Sequence, residues 1–177
     1  VAHAAKCGGA SGGAEYAAQL ATWRQALQTA LTTRFGFAPA QVVQLVDETA
    51  RTSGTPATAE NVRKTFTSLR GLVGKDDLVL IVLLGHGTFD GQAAKFNLVG
   101  PDLTAAEWAT MLNGLPGRQV IVNTTEASAP FLEALAAPGR IVITATETAA
   151  QRYATVFPDY FVKALGVFVG GLVVAAL

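Results

Sequence analysis

The feature that most constrains the fold is the segment from Asp77 to Leu84, which reads Asp-Leu-Val-Leu-Ile-Val-Leu-Leu and is apolar at every position after the first. A strand with one face in water alternates apolar and polar residues, whereas a strand covered on both faces is apolar throughout. Strands of a parallel sheet are covered in this way, because helices connect them across both faces. The segment therefore predicts a central strand of a parallel sheet.

Helix and strand patterns alternate along the rest of the chain. Apolar residues spaced by three and four predict helices, and short β-branched runs predict strands. Thr58 is a good N-cap, and Thr104 with Glu107 forms a capping box. The predicted helices cover residues 14–35, 58–73, 104–112, 131–135 and 157–165, and the predicted strands cover 41–46, 77–84, 119–122 and 140–145. This order predicts one α/β domain over residues 1–177, a doubly wound three-layer sandwich with a mostly parallel central sheet.

The two ends of the chain fit this scheme poorly. A doubly wound fold needs an apolar central strand early, and residues 1–7 form a weak candidate because they include His3 and Lys6. The tail at 166–177 is richer in valine and is predicted to be an extra strand, either in the same sheet or paired with a neighbouring molecule. Self-association through this apolar segment is therefore an expectation. The apolar run at 165–177 is too short to span a bilayer comfortably, so no stable membrane span is expected.

Composition excludes several classes of protein. Half of the 177 residues are hydrophobic and 15% are charged, which excludes general disorder. Thirteen basic residues balance thirteen acidic ones, so no broad nucleic-acid surface is expected. One Cys excludes an internal disulfide framework and a multi-Cys zinc site, and we expect neither metal nor cofactor. No charged start followed by an apolar stretch opens the chain, so no intact signal peptide is expected, and the compartment stays open.

The candidate chemistry lies in loops that follow the predicted strands. In a parallel sheet, ligands bind beyond the carboxyl ends of the strands. Three predicted loops leave those ends, at 85–91, 123–128 and 146–153. The first contains Gly85-His86-Gly87, whose glycines allow a substrate to approach His86 closely. His86 is either a general base or a histidine whose hydrogen bonds are satisfied within its loop.

The apolar strand running into Gly85-His86-Gly87 resembles the caspase-like clan of cysteine peptidases, with the closest likeness to its legumain-type and bacterial caspase-like branches. In that clan a second buried strand ends in a short acidic, small-residue, Cys motif. Here the strand Val120-Ile121-Val122 runs into Asn123-Thr124-Thr125-Glu126-Ala127-Ser128. The resemblance covers roughly residues 42–165. It implies a peptidase fold in which His86 is the base and the Gly87 backbone N–H lines the oxyanion hole.

The same resemblance puts Thr125 where the nucleophilic Cys should be. A thiol is several pKa units more acidic than an alcohol, so a histidine activates it far more easily. Thr nucleophiles commonly use their own N-terminal amine as base, which an internal Thr cannot do. The sole Cys, Cys7, is far from this position in the sequence. We therefore interpret Thr125 as a lost nucleophile.

Further polar residues near these loops are candidate binding residues. Glu126 is expected beside a helix start, where the helix dipole favours an anion. Ser128 is expected to cap that helix, because Pro130 follows at the right spacing. Glu147 flanks the third loop, which in the family helps to line the specificity pocket. The charges of Asp90, Lys95 and Arg152 are weaker candidates, since solvated loop charges are common.

A competing signal precedes the first predicted helix. The segment Cys7-Gly8-Gly9-Ala10-Ser11-Gly12-Gly13 resembles the phosphate-binding turn of short-chain dehydrogenases. The strand before it looks weak, and the acidic residues that could hold a ribose, Asp47 and Glu48, lie far along the chain. Tyr160 and Lys163 are three positions apart, whereas those enzymes space the pair by four.

The sequence leaves three functions open. The first is a caspase-like pseudo-peptidase that binds a peptide or protein without cleaving it. The second is an active hydrolase that uses Thr125 with His86. The third is a dinucleotide-binding fragment.

Overall fold

The computed structural model describes residues 1–47, 54–149 and 153–172. Within these residues, six parallel strands form the central sheet, in the spatial order β3-β2-β1-β4-β8-β9. Their bounds are β1 Ala2–Gly8, β2 Val42–Val46, β3 Thr55–Pro56, β4 Leu78–Leu84, β8 Arg118–Asn123 and β9 Arg140–Thr144. Strand β4, formed by the apolar run, lies between β1 and β8, so both of its edges are paired. The predicted central position of this strand is confirmed.

The prediction for the first residues of the chain was wrong. Strand β1 lies in the middle of the sheet, paired with β2 on one side and with β4 on the other. Hydropathy does not predict this strand, because the strand contains Lys6 and a lysine is ordinarily exposed. In the structure Lys6 is fully buried. Its ammonium group donates hydrogen bonds to the Arg24 carbonyl at 3.1 Å and to Gln44 Oε1 at 3.0 Å. A buried cation with acceptors in place is compatible with a central strand, although burial and the nearby charge of Arg24 lower the pKa of Lys6 to about 8.

Helices cover both faces of the sheet, so the molecule is a three-layer α/β sandwich. One face carries α1 and α5, with Trp23 and Leu27 of α1 packed over Val82 of the sheet. The other face carries α2, α3 and α4, with Phe66, Trp108 and Phe131 at its centre. The helices span α1 Ala14–Thr33, α2 Ala59–Leu72, α3 Ala105–Asn113, α4 Ala129–Leu135 and α5 Phe157–Leu172.

The helix-start signals behave as the sequence predicts in two cases. The Thr58 hydroxyl accepts a hydrogen bond from the Asn61 N–H and caps α2. Thr104 and Glu107 form the reciprocal capping box of α3. A short 3-10 turn at Pro39–Gln41 leads into β2.

The sequence does not predict a second, small antiparallel sheet that follows β4. The segment after β4 is a hairpin, with β5 Gly87–Phe89, β6 Ala94–Phe96 and β7 Leu103–Thr104 in the order β5-β6-β7. The sequence predicts only a loop at 85–91, because strands of two or three residues carry too little periodicity to detect. This hairpin packs Phe96 against Trp108, so it belongs to the same core layer as α2 and α3.

The predicted extra strand in the tail was also wrong over its described part. Helix α5 continues to Leu172, seven residues past the end predicted for it. The rest of that prediction, residues 173–177, lies outside the described residues. Within the described part of the chain, no helix combines the length and the apolar character needed to cross a bilayer.

Candidate functional site

The candidate site lies where the strand order changes direction. From β1 the chain moves outward to β2, whereas β4 pairs with the other side of β1. Such a switch point leaves a crevice beyond the carboxyl ends of the two central strands. Because the strands are parallel, the loops after β1, β4 and β8 all leave the same edge of the sheet. His86 and Thr125 therefore lie on one rim of the sheet.

His86 is held between charged and polar partners. Its Nδ1 lies 2.9 Å from Glu126 Oε1, and since a carboxylate only accepts, Nδ1 carries the hydrogen. This bond to Glu126 is the main reason why the pKa of His86 is raised. Partial burial opposes the rise, while the charge of Glu126 and a backbone hydrogen bond to Ser11 add to it.

Tyr16 of α1 fixes the plane of the imidazole. The phenol and imidazole rings stack with centroids 4.2 Å apart and an angle of 24° between their planes. The Tyr16 hydroxyl donates to the Gly85 carbonyl at 3.3 Å, so one side chain contacts both the ring and the backbone that carries it. Burial, together with the charge of Glu126, raises the pKa of Tyr16, which keeps the phenol neutral. The electron-rich face of a neutral phenol favours a cationic imidazole.

A cleft of about 490 Å³ opens beside this imidazole. Its walls are residues 11–16 at the start of α1, together with Gln19 and His86. Gly12 and Gly13 have no neighbouring atom within 4 Å of where a Cβ would be, so the backbone there is open to a ligand. The His86 side chain is 29% exposed and contributes its edge to the cleft.

Thr125, at the predicted nucleophile position, is not in this cleft. The residue is 0% exposed, and its hydroxyl is buried with no hydrogen-bond partner among the described residues. Its backbone N–H donates to Asn123 Oδ1 at 3.1 Å, which turns the chain at the end of β8. The bond from His86 Nδ1 goes to Glu126 instead, so the structure does not contain a hydrogen-bonded Thr125–His86 pair.

Gly87 and Thr125 bring the two loops into direct contact. A Cβ on Gly87 would lie 2.6 Å from the Thr125 hydroxyl oxygen and 3.0 Å from the Lys95 carbonyl oxygen. Only glycine fits at this distance, so the hairpin that begins at β5 packs onto the Thr125 side chain. The Gly87 backbone predicted to line an oxyanion hole is itself buried by this packing.

The other predicted binding residues have different roles in the structure. Glu126 was assigned to a helix start, but one of its carboxylate oxygens binds His86 and the other is buried without a described partner. Ser128 is fully buried, and its hydroxyl accepts from the N–H groups of Ala145 and Thr146 at 2.9 and 3.1 Å. It occupies the N-cap position of α4 without making a side-chain cap. Glu147 is exposed on the third loop.

The weaker charged candidates contribute little to the cleft. Asp90 and Lys95 form an ion pair of 2.8 Å across the hairpin. Arg152 lies outside the described residues. No group of three or more His, Cys, Asp or Glu side chains that could hold a metal is present in the described part of the chain.

Cys7 cannot stand in for the missing thiol. It lies in β1 with its side chain packed in the core on the α2 face. Burial raises the pKa of this thiol to about 12, so it remains protonated and poorly nucleophilic.

Sequence reasoning missed two residues of the site, Tyr16 and Ser11. In the sequence, Tyr16 is one of the spaced apolar residues that predict the helix over residues 14–35. The available signal was an aromatic residue in the first turn of a helix that follows a glycine-rich loop at the sheet's ligand-binding edge. Ser11 contributes backbone atoms, which carry no side-chain signal in the sequence.

The glycine-rich segment at residues 8–13 follows β1, which is a central strand of the sheet. The weakness of the preceding strand is therefore no longer an argument against a dinucleotide site. Asp47 also lies directly after β2, beside this loop. However, Asp47 Oδ2 accepts the Ser11 N–H at 2.9 Å. The Gly9 and Ala10 N–H groups donate to the carbonyls of Leu84 and Asn97 at 2.9 and 3.1 Å. A phosphate would find these donors occupied and a carboxylate beside them, which argues against the dinucleotide hypothesis.

Comparisons with known proteins define the fold and leave the family open. No protein-family model matches the chain, and no curated protein matches it. The chain is similar to the crystal structure of protein GSU0716 from Geobacter sulfurreducens, with a TM-score of 0.52 and 15% sequence identity. The similarity covers 70% of this chain and 49% of that one, so the chain spans about half the length of that protein. At this level of identity the likeness supports the α/β sandwich alone.

Proposed function

We propose that this chain is a caspase-like domain that binds a peptide or protein ligand without cleaving it. The observation that carries the proposal is the bond between His86 Nδ1 and Glu126 Oε1, combined with the burial of the Thr125 hydroxyl. A hydrolase of the suspected type needs a nucleophile within hydrogen-bond reach of its base. Here the Thr125 hydroxyl is enclosed and makes no hydrogen bond to His86 or to any other described residue.

The raised pKa of His86 supports the same conclusion. A general base needs a ring nitrogen with a free lone pair at the working pH. The bond to Glu126 and the stacked phenol favour the imidazolium form, in which both nitrogens carry hydrogens. Such a ring donates hydrogen bonds and positions its neighbours, whereas it does not remove a proton.

The shape of the cleft supports ligand binding at the same place. It lies at the switch point of the sheet, where this class of fold binds ligands, and it exposes backbone at Gly12 and Gly13. An extended peptide can use backbone hydrogen bonds at such a wall, because no side chain blocks the approach. The balanced charge of the chain gives no reason to expect a nucleic acid there.

The alternative is a hydrolase that uses Thr125 and His86. The observation in its favour is the contact between Gly87 and Thr125, which brings the loop that carries His86 against the loop that carries Thr125. For this activity the Thr125 hydroxyl would have to leave its enclosure and reach Nε2 of His86. Both His86→Ala and Thr125→Val would then abolish turnover.

A randomised peptide library distinguishes these functions. The library is incubated with the purified chain, and mass spectrometry scores both cleavage and retention of peptides. We expect retained peptides, no cleaved ones, and loss of retention in His86→Ala. A matched control is Glu133→Gln, an exposed carboxylate on α4, which should retain peptides like the wild type. Cleavage that disappears in both His86→Ala and Thr125→Val would overturn the proposal, and so would the absence of any retained peptide.

A further inference from the structure

We propose that strand β9, the outer strand of the central sheet beside β8, pairs antiparallel with β9 of a second copy of this chain. The pairing joins two six-stranded sheets into one continuous sheet. It uses the edge of the sheet and none of the residues that line the candidate cleft, so it does not depend on whether the cleft binds a peptide.

The outer edge of β9 carries backbone groups that need partners. Strand β9 pairs with β8 along one edge, and among the described residues no strand pairs with the other edge. At the two ends of the strand, the bonds to β8 come from the Gly139 carbonyl and the Ala145 N–H. Successive residues of a strand direct these groups to opposite edges, so the N–H and C=O groups of Val142 and Thr144 face away from β8.

Two isoleucines of β9 are exposed beside this edge. Val142 packs against the core under α2, α3 and α4. Ile141 and Ile143 lie on the opposite face of the sheet, because side chains alternate along a strand. The helices on that face pack over Val122 of β8, whereas Ile141 is 59% and Ile143 36% exposed. An edge with unpaired backbone groups and apolar side chains favours the addition of another strand.

The opposite edge of the sheet is protected in a way that β9 is not. Strand β3 has two residues, and one of them is Pro56, which has no N–H to donate. Strand β9 has five residues and no proline. A free charge on an edge strand hinders pairing. The guanidinium of Arg140 is instead bound within its own chain, to Gln119 Oε1, the Leu135 carbonyl and Asn113 Oδ1.

A second copy of β9 fits the backbone of this edge in register. With a two-fold axis at Val142, the two Val142 residues lie opposite each other and exchange both hydrogen bonds. Arg140 of each copy then lies opposite Thr144 of the other, so the Thr144 N–H meets the Arg140 carbonyl. Every outward-facing residue of one strand thus meets an outward-facing residue of the other.

The side chains of β9 are self-complementary in the same register. Ile141 of each copy lies opposite Ile143 of the other, and all four isoleucines share one face of the joined sheet. Each copy therefore covers the exposed apolar side chains of the other. Arg140 lies opposite a threonine, so no like charges face each other across the strands. This is the arrangement of a two-fold symmetric interface, in which the same surface serves both copies.

Sedimentation velocity of the full chain from about 1 µM to about 1 mM measures the association, because small interfaces commonly dissociate in this range. We expect a monomer–dimer equilibrium. Ile141→Lys should raise the dissociation constant by about tenfold or more, since it removes an apolar contact and adds a charge to the edge. Leu72→Lys is the matched control, because Leu72 at the end of α2 is 67% exposed and lies outside β9. It should leave the dimer unchanged.

Disulfide crosslinking tests the register. Ile141→Cys and Ile143→Cys chains, mixed and oxidised together, should form a covalent dimer, because the two positions lie directly opposite each other. Each variant alone should crosslink poorly, since equivalent positions are then diagonal neighbours roughly 7–8 Å apart, which is beyond the reach of a disulfide. The native Cys7 is buried and does not compete.

A chain that stays monomeric up to the highest concentration, or a dimer that Ile141→Lys leaves intact, would overturn the pairing. Crosslinking in each single variant without a gain in the mixture would overturn the register. If Ile141→Lys fails to fold, sedimentation of the wild type and the cysteine mixture give the answer. Cleavage of a peptide by the chain would overturn the proposed function and leave this result untouched.

Discussion

The contact between Gly87 and Thr125 predicts how much stability the substitution Gly87→Ala should cost. In Gly87→Ala the new Cβ would lie 2.6 Å from Thr125 Oγ1 and 3.0 Å from both Thr125 Cβ and the Lys95 carbonyl oxygen. Ordinary Cβ contacts are 3.4–4 Å, so the hairpin or the β8 loop must shift. Overpacking of this kind costs about 1–3 kcal/mol. The lower entropy of the unfolded alanine chain offsets about 0.4–1 kcal/mol of that cost.

Thr125→Ala in the same background removes the nearest atom. The contacts at 3.0 Å remain, so the second substitution should relieve roughly 1 kcal/mol of the cost, within the range of coupling measured for touching residues. Thr125→Ala alone should be almost neutral, because it deletes a buried methyl group worth about 1 kcal/mol together with an unpaired hydroxyl that costs about 1–3 kcal/mol.

Urea denaturation of the wild type, both single variants and the double variant measures this coupling. Each kcal/mol corresponds to a change of about 2–4 °C in Tm for a chain of this size, so thermal melts provide a second reading. Gly71→Ala is the control, since Gly71 lies in α2 with nothing within 4 Å and should gain up to about 1 kcal/mol. Strict additivity of Gly87→Ala and Thr125→Ala, within about 0.5 kcal/mol, would show that the two loops do not touch.

Three further outcomes follow from buried groups. Thr125→Val should be neutral or stabilising by about 1 kcal/mol in urea melts, because its buried hydroxyl has no partner among the described residues; a loss of stability above that size would mean that the hydroxyl is bonded. Since burial lowers the pKa of Lys6 from 10.5 to about 8, the unfolded chain binds more protons between these values, and stability should rise with pH through that window. Melts at pH values across the window should lose this rise in Lys6→Met, and a rise of equal size in the variant would contradict the assignment. The thiol of Cys7 should resist a disulfide reagent in the folded protein and react after denaturation, because it is buried with a pKa of about 12; rapid reaction of the native protein would refute its burial.

The sequence predicts those elements whose hydrophobic period is long and regular. Helix α1 and strand β4 are of this kind. Apolar residues spaced by three and four predict the helix, and a continuous apolar run predicts the strand. Strand β1 could not be recognised in this way, since Lys6 reads as solvent-exposed until Gln44 and the Arg24 carbonyl are seen beside it. The hairpin strands are too short to show alternation, and the valine-rich tail through Leu172 is helical although its residues favour strands.

The position of the candidate site on the sheet could be predicted from the sequence, whereas the hydrogen bonds within the site could not. His86 and Glu126 both follow parallel strands, so their presence on one rim follows from topology. Their direct bond depends on how the loop turns after Asn123, where a side chain accepts the Thr125 N–H. That turn encloses Thr125 and directs Glu126 toward the imidazole. A motif alignment treats these as neighbouring positions and does not distinguish which of the two faces the histidine.

The central claim is that His86 donates from Nδ1 to Glu126, has a raised pKa and is not the base of a hydrolytic pair. Nitrogen-15 NMR of the histidine ring tests it most directly, because the shift of each nitrogen reports whether it carries a hydrogen. The account predicts that both His86 nitrogens are protonated on the acid side of a pKa raised above that of an ordinary histidine, and that Nδ1 keeps its hydrogen on the alkaline side. A His86 that titrates below the ordinary value, with Nε2 bare at neutral pH, would contradict the account and restore the histidine as a candidate base, because Nε2 could then accept a proton.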